Sequence, residues 1–490
     1  MIMRSIHKLI ILLFFTSGIF GAACKKEIDK TPISSLTTGN FWKTANDAEA
    51  GLTGAYNSLY QQFYIWDYMT NGDVQADNCY AGGNNSDNFA IDNYQLNALN
   101  GNVTRDWQGL YYGVANANGV INNVPAITDA AWNGNTRKQQ IIAEAKFLRA
   151  LHYFYLVTTW GDVPLVLVNS TSAGPTQYPA RTPAAQVWIQ IEQDLISADS
   201  SLLPASGSNP NNGRALQGSA DALLAKVYAQ QLKYDSCLIW CNKVLGNSYY
   251  SLVGNYADLF DGNHKNTNES LFEIQHSTVS GTTNYGPELL LPYSLTNDTW
   301  AKFNIPTNDL IADYQSQKDT VRENASIYWS VASDSNGAIP PPYIKLPVPF
   351  SYKWKQPGGY NSPDNQILIR LADIILLKAE ALNATGQTAQ AIPLINQIRA
   401  RVSLPATTAT TQTDVAAAIL NERRLELALE GWRWTDLLRA GSQYTINLMA
   451  SQVDPYGNPL NYALTTDRLL WPVPQSERDL DVNLTQNTGY

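Results

Sequence analysis

Asn421-Glu-Arg-Arg-Leu-Glu-Leu-Ala-Leu-Glu-Gly-Trp-Arg-Trp-Thr-Asp-Leu-Leu-Arg439 is the stretch around which the rest of the chain has to be arranged. Leu425, Ala428, Leu429 and Trp432 recur at helical spacing and make one face apolar, while Glu422, Glu426 and Glu430 form a second row at i, i+4. Such a row repels itself unless cations cover it. Arg423, Arg424, Arg433 and Arg439 lie in the same stretch, and Arg370, Arg399 and Arg401 are available from earlier segments. The pattern predicts a charged helix locked into the body of the protein, its carboxylates covered by arginines.

Elsewhere charge is scarce. Only 15% of the 490 residues are charged, against about 25% in typical soluble proteins, while 13 Trp and 27 Tyr help bring aromatics to 11%. The surface must therefore take its polarity from Asn, Ser, Thr and Tyr. The length supports one large or two ordinary domains with a substantial core. A formal charge of −9, which becomes −11 if Arg4 and Lys8 leave with a signal peptide, excludes a basic nucleic-acid footprint.

Residues 1–23 read as a secretory signal, with Arg4 and Lys8 ahead of the apolar run 9–15 and Gly21-Ala22-Ala23 leading to Cys24. This arrangement resembles a bacterial lipobox, although Gly21 stands where Leu or Val is usual. The resemblance implies cleavage before Cys24 and acylation of its thiol and new amine; simple secretion is the alternative. No other run approaches the ~20 apolar residues of a membrane span, so a lipidated protein would be anchored without crossing. With Cys24 lipidated, Cys79, Cys237 and Cys241 leave an odd count that argues against a disulfide framework. Cys237 and Cys241, at i, i+4 on a predicted helix, read as buried small hydrophobes.

Beyond a polar tether at 25–32, a first helix is expected to start at 44–47 and run through Tyr60, followed by the aromatic residues Phe63, Tyr64, Trp66 and Tyr68. Residues 71–105, rich in Asn, Gly and Asp, are expected to form long surface loops. Helical periodicity returns over 107–123 and most strongly over 137–159, where apolar residues nearly encircle the axis and predict a core helix. Glu144, Lys146 and Arg149 interrupt that apolar surface and call for a buried network. A helix is expected at 183–202, and helix pairs at 218–232 with 234–245 and at 368–382 with 387–401. Pro393 is expected to start or kink the last of these. Residues 246–366 predict loops, short strands and hairpins over a helical platform.

Several segments in order now resemble one family. Ala143-Glu-Ala-Lys-Phe-Leu-Arg-Ala150 with Trp160-Gly-Asp-Val-Pro164, Ala222-Leu-Leu-Ala-Lys-Val-Tyr228, and Arg370-Leu-Ala-Asp-Ile-Ile-Leu-Leu-Lys-Ala-Glu-Ala381 precede the opening stretch, and Trp471-Pro-Val-Pro-Gln-Ser-Glu477 follows it. Together they resemble the SusD/RagB family of outer-membrane lipoproteins over nearly the whole mature chain. The resemblance implies a mostly α single body, 24–490, divided into an N-terminal region 24–245 and a C-terminal region 246–490. It also implies four tetratricopeptide-like helix pairs on one side and a loop-rich ligand face with short strands. A surface lipoprotein on the cell exterior that captures oligosaccharides and passes them to a partner TonB-dependent, SusC-like transporter is the function implied, with the helix-pair side toward the transporter. Peptide capture within the same family, an assembly subunit and a secreted glycoside hydrolase are the alternatives.

The hydrolase reading looks to Glu422, Glu426 and Glu430, about 6 Å apart along a helix, but glycosidase carboxylates face one another across a sugar and these project side by side. His152, His264 and His276 show no metal-ligand spacing, and Asp261, Asn263 and Asn266 form only a fragment of a calcium loop. Neither a cofactor nor a metal is expected. A sugar site needs aromatic faces flanked by amides and carboxylates. Tyr80 near Asp77 and Asn84, and Trp300 beside Asn297 and Asp298, are the leading candidates, with Trp66, Tyr285 and Trp329 behind them.

Overall fold

A computed structural model describes residues 41–169, 178–209, 212–330, 345 and 347–490; the leader, Cys24 and the tether lie outside the described residues. Helix α1 (Ala45–Asn57) opens on a capping box between Thr44 and Asp47. Then β1 (Cys79–Gly82), α2 (Ser86–Asp92), α3 (Gly101–Asn123), α4 (Arg137–Trp160), α5 (Ala184–Asp199), α6 (Gln217–Gln230) and α7 (Tyr234–Leu245) follow. The chain continues through β2 (Ser270–Ile274), α8 (Gly286–Leu290), α9 (Tyr293–Thr296), β3 (Phe303–Pro306), α10 (Asn308–Gln317), α11 (Thr320–Ser326), β4 (Ile327–Trp329), β5 (Pro349–Ser351) and β6 (Gln366–Arg370). It closes with α12 (Leu371–Ala384), α13 (Thr388–Arg401), α14 (Gln412–Leu427), α15 (Arg433–Ala440), α16 (Ser442–Ala450) and α17 (Gln475–Leu480).

Among the described residues the fold is mostly helical, with three two-stranded antiparallel sheets, β1–β3, β2–β6 and β4–β5. Its spine is a succession of packed neighbours: α3 on α4, α4 on α5, α5 on α6, α6 on α7, α7 on α12, and α12 on α13 and α14. Helix α4 lies at the centre, burying Ile141, Phe147, Leu148, Leu151, Phe154 and Leu156 on most of its circumference. Its polar residues find partners, as their interruption of the apolar surface requires. Glu144 meets Arg137 at 2.6 Å and Arg214 at 3.2 Å, Arg149 meets Asp194 at 2.7 Å, and Lys146 donates to Ser197 at 2.7 Å. His152 is wholly buried between Ser58 and Tyr64, and burial holds its pKa down at about 3. Cys237 and Cys241 are buried and unbridged, as small hydrophobes would be.

The structure corrects three sequence expectations. Residues 366–370 form a strand before α12 begins, because they pair with 270–274, so the helix starts three residues later than its periodicity suggests. Helix α13, by contrast, begins at Thr388 as its spacing predicts, with Pro393 inside it and not at its start. Most consequentially, 421–439 is not one helix. α14 ends at Leu427, Leu429 and Gly431 take positive φ of 66° and 79°, and α15 restarts at Arg433. Glu430 therefore leaves the i, i+4 row. The break relieves carboxylate crowding and turns Glu430 toward Arg370 and Lys353, at 2.8 and 2.6 Å.

The third correction explains that break. Residues 71–82, expected in surface loops, are mostly buried, and two π-helical turns, Phe63–Asp67 and Thr70–Val74, lead into them. The Asp73 carboxylate accepts from Asn78 Nδ2 at 2.7 Å and from the backbone N–H groups of Leu429 and Gly431 at 3.3 and 2.6 Å, so it holds the linker between α14 and α15. Backbone meets backbone there: a Cβ on Gly72 would stand 1.9 Å from the Gly431 carbonyl oxygen. Asp and Asn in such a run predict solvent exposure, but here they are the buried acceptors and donors that a broken helix demands.

Around this junction the arginines and the other buried carboxylates form a paired network. Glu426 is wholly buried among Arg322, Arg370 and Arg401; Glu422 meets Arg322 at 2.7 Å and Arg399 at 2.9 Å; Glu269 meets Arg370 at 3.0 Å and Arg401 at 2.9 Å. Arg423 spans Asp373 at 2.7 Å and Asp436 at 2.9 Å, and Lys226 lies over the Trp432 ring at 3.3 Å while pairing with Asp373. Arg439 adds Glu380 and Asp436, each at 2.8 Å. Burial acts to raise the Glu426 pKa, but the three guanidiniums outweigh it and hold the carboxyl well below its ordinary range.

Candidate functional site

The candidate residues separate into two groups on burial. Tyr80 lies on β1 opposite Ile305, 3% exposed, with its hydroxyl donating to the Val453 carbonyl at 2.7 Å. Asp77 is equally buried and takes a fork of two bonds from Arg433 at 2.7 and 2.9 Å; burial acts to raise its pKa, but Arg424 and Arg433 hold it at about 2. Trp66 packs edge-on against Phe303 at 5.1 Å, 4% exposed. These three are corrected from ligand candidates to packing and ion-pair residues, because their polar atoms and faces are already used by the protein.

Trp300, Trp329 and, in part, Tyr285 remain accessible. Trp300 and Trp329 are the two tryptophans of the chain that stand exposed, at 59% and 39%. Trp300 follows α9, whose helix stops at Asn297 with a positive φ of 55°, a conformation that Asn tolerates. The turn places Asp298 beneath Trp300, and Asp298 accepts from the Trp300 backbone N–H at 3.1 Å, from the Tyr360 hydroxyl at 2.6 Å and from Lys302 at 3.5 Å. Burial acts to raise the Asp298 pKa; these donors, Tyr360 foremost, leave it lowered. Lys302 is itself wholly buried and fixed by the Glu288 carbonyl at 2.6 Å, while Glu288 accepts from the Tyr360 N–H at 3.2 Å.

Asp298 thus joins Trp300 to Tyr360, a residue that sequence reasoning missed. Its signal was a Gly-Gly-Tyr-Asn turn, 358–361, in which Gly358, Gly359 and Tyr360 all take positive φ. A third segment is tied in where the Tyr328 hydroxyl meets Ser294 of α9 at 3.4 Å, and Tyr328 precedes Trp329 on β4. Tyr328 also packs against Tyr352 at 5.4 Å. The result is a loop face on which Tyr293, Trp300 and Tyr360, between 40% and 59% exposed, come from segments tied through Asp298 and Ser294, with Trp329, 39% exposed, on the adjoining strand. Tyr285, half-buried, adjoins Asp67, Arg105 and Asp106, whose charges reach its hydroxyl.

Two other arrangements hold groups of the kind that metal binding or catalysis uses. The ligating atoms of Asp258, Asp261 and His264 lie within 4.8 Å of one another, yet Asp261 already accepts from the N–H groups of Asn263 and His264 and meets His264 Nδ1 at 2.8 Å. Asn266, the third member of the supposed loop, turns away to Glu273 and Gln275. That fragment behaves as a self-satisfied turn. The row Glu422, Glu426 and Glu430 is buried in arginine and lysine pairs and opens to no substrate.

Comparison with known proteins agrees with this architecture. The model of the SusD family matches residues 249–490, and a model described as starch-binding associating with outer membrane matches 28–229. The chain is similar to SusD-like protein P38 of Formosa agariphila, 27% identical with 98% of each chain covered. It is 25% identical to the starch-binding protein SusD of Bacteroides thetaiotaomicron, over 78% of this chain and 77% of that one. Among solved structures, a laminarin binding SusD-like protein superposes with a TM-score of 0.77 at 27% identity, over 91% of this chain and all of the other.

Proposed function

Because the chain belongs to the SusD family, we propose that it is a non-catalytic surface lipoprotein that binds oligosaccharides and hands them to a TonB-dependent transporter. Cys24 carries the anchor in this reading, and the helix-pair side meets the transporter. No described helix is long and apolar enough to cross a membrane. The names of relatives that bind starch and laminarin support a glycan cargo.

One observation carries the proposal: the exposed aromatics of the loop face are organised around a fixed carboxylate, Asp298, that joins Trp300 to Tyr360. Sugar rings offer flat C–H patches between hydroxyls, so exposed aromatic faces bind the patches while a held carboxylate orients the hydroxyls. A hydrolase would need a pair of free carboxyl groups facing across the ligand; the loop face offers one carboxylate already committed to its supports.

The test is calorimetric titration of the chain beginning at Lys25, which contains every described residue, with laminari- and malto-oligosaccharides and with peptides. Saturable binding without product formation, weakened by Trp300→Ala, is expected. Binding of peptides alone overturns the cargo, consumption of the sugar overturns the non-catalytic reading, and full affinity in a Trp300→Ala/Tyr360→Ala protein overturns the site.

A further inference from the structure

A second cleft lies elsewhere on the body, where α3 and α17 meet the segment that follows α4. It encloses about 400 Å³, within the roughly 300–1,000 Å³ of small-ligand sites. It shares no lining residue with the loop face. Trp107 lines its buried part, 3% exposed and held edge-on against Trp160 at 5.3 Å. No described residue accepts from the Trp107 indole N–H, and it is not among the buried donors left without a partner, so water reaches it. Tyr112 and Tyr178, 48% and 39% exposed, line its open part.

Polar groups stand opposite these rings. Glu477 and Asp481, from α17 and its C-terminal cap, contribute carboxylates, and Gln108 holds Glu477 at 2.7 Å. Among the described residues no lysine or arginine lines the cleft. An anionic ligand would meet two carboxylates in the lining, with the nearest cations, Arg181 and Arg478, set behind it, Arg478 already donating to the Leu484 carbonyl; a purely apolar ligand would leave those carboxylates and the indole N–H stripped of water. A ligand with flat C–H patches and many hydroxyls satisfies every part: rings stack on Tyr112 and Tyr178, hydroxyl hydrogens go to Glu477 and Asp481, and one hydroxyl oxygen takes the Trp107 N–H.

We infer that this cleft is a second carbohydrate site, sized for a short uncharged segment of a glycan and independent of the loop face. The inference rests on the glycan-binding reading above and extends it. A long chain could then be held at two points of the same body, and the two sites together would raise its retention beyond either alone, provided the chain can span them.

Fluorine NMR of the chain from Lys25 labelled with 5-fluorotryptophan separates the possibilities, with Trp107→Phe and Trp300→Phe identifying the two signals. Laminarihexaose, maltohexaose and other neutral hexaoses are titrated in turn. In Trp300→Ala protein the Trp107 signal is expected still to shift and saturate with at least one sugar, and Tyr112→Ala is expected to weaken that response roughly tenfold, the scale of one lost aromatic contact. Tyr112 is exposed, so its truncation leaves the fold intact. A Trp107 signal that stays still while Trp300 shifts overturns the second site and leaves the loop-face reading standing. A Trp107 shift that vanishes in Trp300→Ala, or survives Tyr112→Ala unchanged, overturns independence or location. If neither signal moves with any sugar, both readings fall.

Discussion

The arginine–carboxylate junction at 421–439 and the aromatic loop face at 293–300, 328–329 and 360 invert the usual division of labour. In most soluble proteins charge sits outside and aromatics sit inside. Here Glu426, Arg370 and Arg322 are wholly buried, whereas Trp300 is 59% exposed. The charged residues this chain can spare are concentrated where the helix breaks, and the surface is left to Tyr, Trp and Asn. The difference teaches where to look for function: the most chemically conspicuous residues hold the fold together, and the plain exposed rings are the ones free to meet a ligand.

The strongest way to break this comparison is to damage the junction and read the loop face. Glu426→Gln leaves Arg322, Arg370 and Arg401 facing a neutral amide. Removing one partner of a buried pair costs about 3–5 kcal/mol, so denaturant unfolding should show a loss of that size. Any glycan binding that survives in folded protein should be unchanged. A Glu426→Gln protein with normal stability and lost binding would move Glu426 from scaffold to site.

Gly72→Ala attacks the same junction without touching charge. The added methyl would sit 1.9 Å from the Gly431 carbonyl oxygen, so backbone must move, and a loss of roughly 2–3 kcal/mol, the upper part of the overpacking range, is expected. Wild-type stability would mean that the close approach of 72 and 431 does not hold the broken helix end.

Acid should sharpen the contrast. Asp77 and Glu426 are held below the ordinary carboxylate value by arginines, so the stability they supply is present above about pH 4 and drains away as pH falls through their folded values, about 2 for Asp77. Asp73 runs the other way. Burial lifts it to about 6 despite its donors, so its charged form costs stability, and protonation below pH 6 relieves that cost. Denaturant midpoints should hold or rise slightly from pH 7 to 4.5, then fall below pH 4, with Asp77 alone accounting for about 2 kcal/mol. Asp73→Asn should make the shallow rise smaller, leaving the part that other buried carboxyls supply, Asp221 foremost, which burial lifts to about 8.

The sequence made the scaffold readable wherever periodicity and packing agreed. Helix α4 declared itself through Ile141, Phe147, Leu148 and Leu151, and α7 and α13 fell where their spacing put them. It misled at the junction because Leu425, Ala428, Leu429 and Trp432 keep helical spacing across a break set by Gly431 and by the distant Asp73, a tertiary contact that no local pattern encodes. Asp77 and Tyr80 were misplaced for the same reason: an Asn- and Asp-rich segment reads as solvent-seeking unless its buried partners, Arg433 and Val453, are known. Trp300 and Trp329 stood out as aromatics among polar neighbours. Tyr360 did not, since it reaches Asp298 across 62 residues of chain.

That long-range bond supplies the smallest and most discriminating prediction. Tyr360→Phe keeps the exposed ring and removes only the hydroxyl that donates to Asp298 at 2.6 Å. Asp298 would keep its Trp300 N–H and Lys302 partners, so fold stability should be unchanged by thermal melting. Burial, which acts to raise the Asp298 pKa, would lose its foremost opponent, so the carboxyl should titrate at higher pH. If the carboxylate orients sugar hydroxyls, oligosaccharide affinity in the variant should fall only a few-fold at pH 7, about the worth of one exposed hydrogen bond. On acidification it should decline earlier than in the wild type. Stacking alone predicts a different result, with affinity and its pH profile both untouched, because the ring that stacks is still there. The pH profile of Tyr360→Phe therefore decides whether the loop face recognises its ligand by aromatic surface only, or by aromatic surface disposed around one fixed charge.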